Sequence, residues 1–230
     1  MELEFTTTAC NRPEILEKTY QSFTSKLKGV NFRKSTLYIN IDPAPDKKNI
    51  QEVEKVAKKY FGKVVANYPI NANFAKAVIW CFQQVKKDIF FHLEDDWLLN
   101  REVDLQKVLF FCSKHLNWHQ CVFQKKNIQQ ANEPCLLPSL HNTQYTKIYL
   151  KLMNSKINPE AQMKYIHRNN QITGLTYIIW DKNLVQDIGK KWLLQKGLRR
   201  NYAEISKKKG WTPWVRWTME IMDSIDGKRY

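Results

Sequence analysis

Four short runs rich in apolar and β-branched residues, at positions 3–9, 36–41, 64–66 and 89–93, alternate with segments of helical period. Leu16, Tyr20, Phe23 and Leu27 form one apolar face, and Ile50, Val53, Val56, Ala57 and Tyr60 a second. Phe74, Ala77, Val78, Cys81 and Val85 form a third. The switching period predicts β-α-β-α-β-α-β over about 96 residues. Such a chain is confined to α/β folds, with a mainly parallel central sheet and helices on both faces. Ligands of these sheets sit beyond the carboxyl ends of the strands. Arg12, Asp42, Asn73, Asp95 and Asp96 all fall at or just after such ends.

The joints agree with this order. Asn11-Arg12-Pro13 supplies a cap and a proline for the first helical turn. Asp42-Pro43-Ala44-Pro45-Asp46 reads as a loop, and Asn71-Ala72-Asn73 opens the third helix. The second half is less regular. Helices are expected over 105–116, 146–153, 161–166 and 184–198, and strands over 121–123, 172–180 and 211–217. Residues 127–142, with Pro134 and Pro138, read as loop. No linker interrupts the chain, so residues 1–230 are expected to form a single domain.

Hydrophobic residues make up 43% of the chain and aromatics 13%, which excludes a disordered protein. No stretch approaches the roughly 20 apolar residues of a membrane span. The acidic start Met1-Glu2-Leu3-Glu4-Phe5 does not resemble a secretion signal, so a cytoplasmic protein is expected. The five cysteines include no C-x-x-C pair and read as reduced, mostly buried thiols.

Glu94-Asp95-Asp96 closes an apolar strand with three consecutive carboxylates. Unpaired and partly buried, they repel one another. A divalent cation removes that repulsion. Mg²⁺ and Mn²⁺ favour carboxylate oxygen and share their coordination with substrate phosphates. The spacing therefore points to a site that grips a diphosphate through a metal.

Charge is distributed unevenly. Residues 1–100 carry 15 basic and 12 acidic side chains, whereas residues 101–230 carry 22 and 10. That excess suits a polyanionic partner, either nucleic acid or an anionic membrane. Lys190, Lys191, Arg199, Arg200, Lys207, Lys208 and Lys209 interleave with Trp192, Tyr202 and Trp211. Phosphates attract the cations, and unstacked bases can sit on the rings.

Several of these pieces resemble one family in their order and spacing. Phe5-Thr6-Thr7-Thr8-Ala9-Cys10-Asn11-Arg12-Pro13 is similar to the opening strand and turn of family 2-type glycosyltransferases of the GT-A fold. Asp42 resembles their acidic residue at the nucleoside, and the segment from Asn71 to Ala77 resembles the one that precedes their metal motif. Glu94-Asp95-Asp96-Trp97 resembles the motif itself. The likeness covers roughly residues 3–100. It implies a Rossmann-like GT-A domain, with residues 1–100 as nucleotide-sugar half and 101–230 as acceptor half.

The resemblance further implies a UDP-sugar donor held by Thr8, Arg12, Asp42, Asn73 and Asp95, with Mn²⁺ or Mg²⁺ on Asp96 and Glu94. Glu94 can take either the metal or the sugar role. Phe74-Ala75-Lys76 replaces the usual glycine-rich stretch, which makes Lys76 a phosphate contact.

An inverting enzyme needs a carboxylate base for the acceptor hydroxyl. Glu204 is the first candidate, by its likeness to an acidic segment near a late family helix, with Glu220 and Asp223 behind it. Gln171-Ile172-Thr173-Gly174-Leu175-Thr176 is similar to the segment lining the donor sugar, and His141 or His167 is a candidate for the metal shell or a phosphate. The chain also looks like small phage-type glycosyltransferases, some of which decorate modified DNA. Together with the charge, this gives a hydroxymethylated base in DNA as the first acceptor reading, in host cytoplasm if the chain is phage-encoded. A lipid-linked or surface glycan is the second acceptor. A non-enzymatic nucleic-acid-binding protein is the third reading.

Overall fold

The computed structural model describes residues 1–44, 50–125, 133–169 and 175–196. The first half runs β1 (Glu4–Cys10), α1 (Pro13–Lys26), the two-residue β2 (Leu27–Lys28), β3 (Thr36–Asp42), α2 (Ile50–Tyr60), β4 (Lys63–Asn67), α3 (Phe74–Gln84) and β5 (Ile89–His92). It continues through β6 (Trp97–Leu99), β7 (Val103–Asp104), α4 (Leu105–Ser113), β8 (Trp118–Lys125), β9 (Ser139–Asn142), α5 (Thr143–Leu152), α6 (Pro159–Arg168), β10 (Thr176–Asp187) and α7 (Gly189–Gln195).

Eight strands form one sheet in the order β4-β3-β1-β5-β9-β8-β10-β6. The four that the sequence pattern predicts pair in parallel, and β8 is parallel to β10. β9 is antiparallel to both β5 and β8, and β6 to β10. β2 and β7 form a separate two-stranded ladder.

Strand alternation sends neighbouring side chains to opposite faces. Leu37 and Phe91 join one core cluster, Tyr38 and Phe90 the other. α1, α2 and α4 cover the first face with Leu16, Phe23, Val53, Leu105 and Val108. α3, α5 and α6 cover the second with Val78, Phe82, Tyr149, Met163 and Ile166. Phe5 anchors the first core, with Phe32, Phe61 and Phe91 rings at 5.2, 5.1 and 5.7 Å. Truncating such a residue to alanine costs about 3–5 kcal/mol. Asn73, Asp104, Asn142 and Asn158 cap α3, α4, α5 and α6 through their side chains.

Two expectations are corrected. The 127–142 loop ends in a strand: Ser139–Asn142 is β9, at the centre of the sheet. Ser-Leu-His-Asn carries no apolar alternation, yet it is buried because both edges are paired. The helix expected over 184–198 begins only at Gly189. Val185–Asp187 instead pairs with Trp97–Leu99, which holds this apolar segment in β10. The strand expected over 211–217 lies outside the described residues.

His92, His119 and His141 are buried among the side chains of the second core, and half-buried His167 lies at its edge. The His141 ring lies 6.1 Å from His92 and 5.8 Å from His119. His119 stacks on Tyr149 at 4.8 Å, and His167 meets Tyr177 edge-on at 4.7 Å. His92 Nε2, both nitrogens of His119, His141 Nδ1 and His167 Nδ1 are buried without a hydrogen-bond partner among the described residues. Burial pulls His92 and His119 down to about 3, and His141 well below the usual range. These imidazoles are therefore neutral.

Candidate active site

Register brings the site together. Cys10 pairs with Asp42 across β1 and β3, so the two strands end level. Beyond β5 the chain stays tied to β1: Leu93 N–H donates to Thr6 O at 2.9 Å, and Asp95 N–H to Thr8 O at 3.3 Å. The acidic triplet thus stands beside the ends of β1 and β3. A cleft of about 590 Å³ opens there. Among the described residues, six carboxylates line it: Asp42, Glu94, Asp95, Asp96, Glu160 and Asp187. The cations among these lining residues are Arg12 and Lys190. An acidic cleft in a chain of net charge +15 is a local choice, not a consequence of composition.

The carboxylates have different partners. Asp95 is spent internally: Arg12 Nε donates to Oδ2 at 3.2 Å, Cys10 N–H donates to the same oxygen at 2.9 Å, and Arg12 Nη2 donates to Oδ1. Arg12 also reaches Asp96 Oδ2 at 3.3 Å. Asp42 accepts from Asn40 Nδ2 at 2.8 Å and Asn73 N–H at 3.1 Å. Burial nevertheless holds the Asp42 carboxyl above its ordinary range. Glu94 accepts from Trp97 Nε1 at 3.1 Å. Desolvation, with the charges of Asp96 and Asp95, pushes Glu94 well above the usual carboxylate range. Thr8 Oγ1 is buried at the cleft wall with no hydrogen-bond partner among the described residues.

α7 closes one side. Ile188 N–H donates to Asp96 O at 2.9 Å, and Trp192 Nε1 to Glu14 Oε1 at 2.7 Å. The Trp192 ring lies over the Arg12 guanidinium, 5.5 Å from its centre. Gly189 packs directly on the Asp96 carboxylate, where a side chain would collide.

Thr8, Arg12, Asp42, Glu94, Asp95 and Asp96 therefore converge on one cleft. Asn73 adjoins it through Asp42. Lys76 is exposed in the first turn of α3 and is not on the cleft lining, because the third residue of that helix points outward. Lys190 lines the cleft, while Lys191 is exposed on α7. Neither His141 nor His167 lines it. His141 is locked in the second core by Ser139 and by Phe90, stacked at 4.9 Å. Glu204, Glu220, Asp223, Arg199, Arg200, Lys207, Lys208, Lys209 and residues 171–174 lie outside the described residues.

Sequence reading missed Glu160, Asp187, Gly189 and the capping role of Trp192. A signal for Glu160 existed. Asn158-Pro159-Glu160 is a helix start, with an Asn cap, Pro in the first position and an acid in the first turn.

Among the described residues, no three His, Cys, Asp or Glu side chains are grouped to hold a metal ion by themselves. Glu94 and Asp96 suit an ion that completes its shell with phosphate and water, the habit of Mg²⁺. The acidic lining and the raised Glu94 fit such a cation electrostatically.

No family model and no curated protein matches the sequence. Solved structures do. A structure of S. aureus TarS 1–349 in complex with UDP superposes with TM-score 0.58 at 12% identity, covering 79% of this chain and 59% of that one. The mannosyltransferase PcManGT from Pyrobaculum calidifontis, with GDP-Man and Mn²⁺, gives TM-score 0.59 at 9% identity, covering 96% and 69%. The chain has the GT-A fold. The glucosyl-3-phosphoglycerate synthase of Mycobacterium tuberculosis, with Mn²⁺, UDP and glucosyl-3-phosphoglycerate, gives TM-score 0.59 at 9% identity, covering 98% and 80%. This chain spans about six-tenths of the TarS fragment, and at these identities the likeness concerns the GT-A fold.

Proposed function

We propose that this chain is a glycosyltransferase that moves a sugar from a nucleotide-sugar, UDP-linked in the first instance, to an acceptor hydroxyl. The observation that carries the reading is the acidic cleft at the ends of β1, β3 and β5 of a GT-A fold. The GDP-Man and Mn²⁺ of one structural neighbour and the UDP and Mn²⁺ of another support it.

Each residue has a distinct role in this reading. Asp42 and the Thr8 hydroxyl receive the nucleoside. Asp96, with Glu94, would hold Mn²⁺ or Mg²⁺, which would supply positive charge to the diphosphate leaving group. Arg12 fixes Asp95, and this buried pair keeps the acidic turn rigid. Glu160 faces the same cleft from α6. It accepts the acceptor hydroxyl's proton on its carboxylate as the acceptor oxygen bonds to the anomeric carbon and the bond from that carbon to the diphosphate oxygen breaks, releasing the nucleoside diphosphate. Lys164 Nζ donates to Glu160 Oε1 and steadies it as a carboxylate. Glu160 thus takes the base role that sequence alone assigned to Glu204.

The acceptor is read from charge. The basic excess of residues 101–230 suits a polyanion, and a hydroxymethylated base in duplex DNA is the first to test. The experiment is UDP release from a panel of UDP-sugars with Mn²⁺, with and without 5-hydroxymethylcytosine DNA. Release that requires the modified DNA supports this acceptor. Release indifferent to DNA moves the acceptor to glycans. DNA binding without any UDP binding replaces the enzyme reading with that of a nucleic-acid-binding protein.

A further inference from the structure

Eight large hydrophobic side chains are exposed among the described residues, and three lie within seven positions: Phe110 (66% exposed), Phe111 (44%) and Leu116 (88%). Single exposed apolar residues are ordinary, but a cluster calls for a partner. α4 buries Leu105, Val108 and Cys112, so its helical period turns Phe110 outward. Asn117, at φ 60°, bends the chain immediately after Leu116, which leaves Leu116 at the tip of a turn. Trp180 of β10 extends the patch, edge-on to Phe111 at 5.7 Å.

The patch is also cationic. Residues 105–117 contain Lys107, Lys114 and His115 and no acid. Lys114 Nζ lies over the Phe110 ring at 4.6 Å. Neighbouring carboxylates are engaged elsewhere. Asp104 caps α4, Glu102 pairs with Lys28 at 3.1 Å, and Asp181 pairs with Arg101.

We propose that this patch is a peripheral contact surface for an anionic lipid bilayer. Phe110, Leu116 and Trp180 seat in the headgroup region, and the lysines face anionic lipid phosphates. The net charge of +15 attracts the whole chain to the same surface. A nucleic acid backbone complements the lysines but offers nothing to a protruding leucine. A stable homodimer needs about 800 Å² from each partner, more than these few side chains supply. No described helix is long and apolar enough to cross a membrane, so the contact is interfacial.

The test is co-sedimentation of the full chain with vesicles of phosphatidylcholine, with and without phosphatidylglycerol. The wild type binds the anionic vesicles. Phe110→Ser with Leu116→Ser weakens partitioning roughly tenfold or more, and Lys107→Glu with Lys114→Glu does the same. Thermal melts and UDP binding in solution stay as in the wild type, which shows that the variants are folded. Three results overturn the proposal: no vesicle binding, equal binding by the Phe110/Leu116 variant, or a wild-type dimer that this variant dissolves.

Discussion

Gly189 lies so close to Asp96 that a β-carbon added to it would stand 2.0 Å from Asp96 Oδ2 and 2.8 Å from its Cγ. The requirement is steric, since a short side chain bonded through its backbone to Ile188 has little room to retreat. Gly189→Ala should therefore push the Asp96 carboxylate or α7 out of place. Such overpacking typically costs 1–3 kcal/mol. The expected outcome is at least about tenfold weaker UDP binding in Mn²⁺, with a modest fall in melting temperature. Unchanged UDP affinity would mean that α7 does not set the position of Asp96.

Arg12 and Asp95 form a pair that is less than a tenth exposed on both sides. Removing one partner strands a buried charge, at a cost of about 3–5 kcal/mol. Arg12→Ala should lower the urea midpoint strongly. Arg12→Ala with Asp95→Asn should recover part of the loss, because residues in contact are not additive. A double variant as unstable as the sum of the singles would contradict the pairing.

The buried histidines make stability depend on acid. His92 and His119, at about 3 in the fold, return to about 6.5 when the chain unfolds. The unfolded state then binds more protons at every pH between these values. Stability is thus full above about pH 6.5 and falls steadily as the pH drops toward 3. Each such histidine contributes a slope of about 1.4 kcal/mol per pH unit between pH 5 and 4. His119→Phe, stacked on Tyr149 in place of the imidazole, should remove one such slope in urea unfolding. An unaltered slope would show that His119 is not buried neutral.

Glu160→Gln keeps the shape of the side chain and removes its basicity. General-base catalysis contributes typically 10²–10⁴-fold, so kcat should fall within that range while KM for the donor changes little. A variant with wild-type kcat would return the base to another carboxylate.

Much of the first half was legible because its signals are local. Thr8 lies near the end of an apolar and β-branched run, Asp42 ends one, and Arg12 and the acidic triplet follow one, and parallel pairing then brings these strand ends level. The second half was not legible in the same way. β9 is made of Ser139, Leu140, His141 and Asn142, and no local period marks it, since its burial comes from two flanking strands. Glu160 fell just outside the helix expected over 161–166, and only the packing of α6 brings it to the cleft. The switch from strand to helix at Gly189 depends on pairing with β6, a partner some 90 residues away.

In the proposed function Asp96 binds a nucleoside diphosphate through a divalent cation. Calorimetric titration of UDP into the wild type and Asp96→Asn, each with Mn²⁺ and then with EDTA, measures this. The wild type should bind UDP in a manner that EDTA abolishes, and the folded variant should not bind it. UDP binding that is equal in both proteins, or indifferent to EDTA, would contradict it.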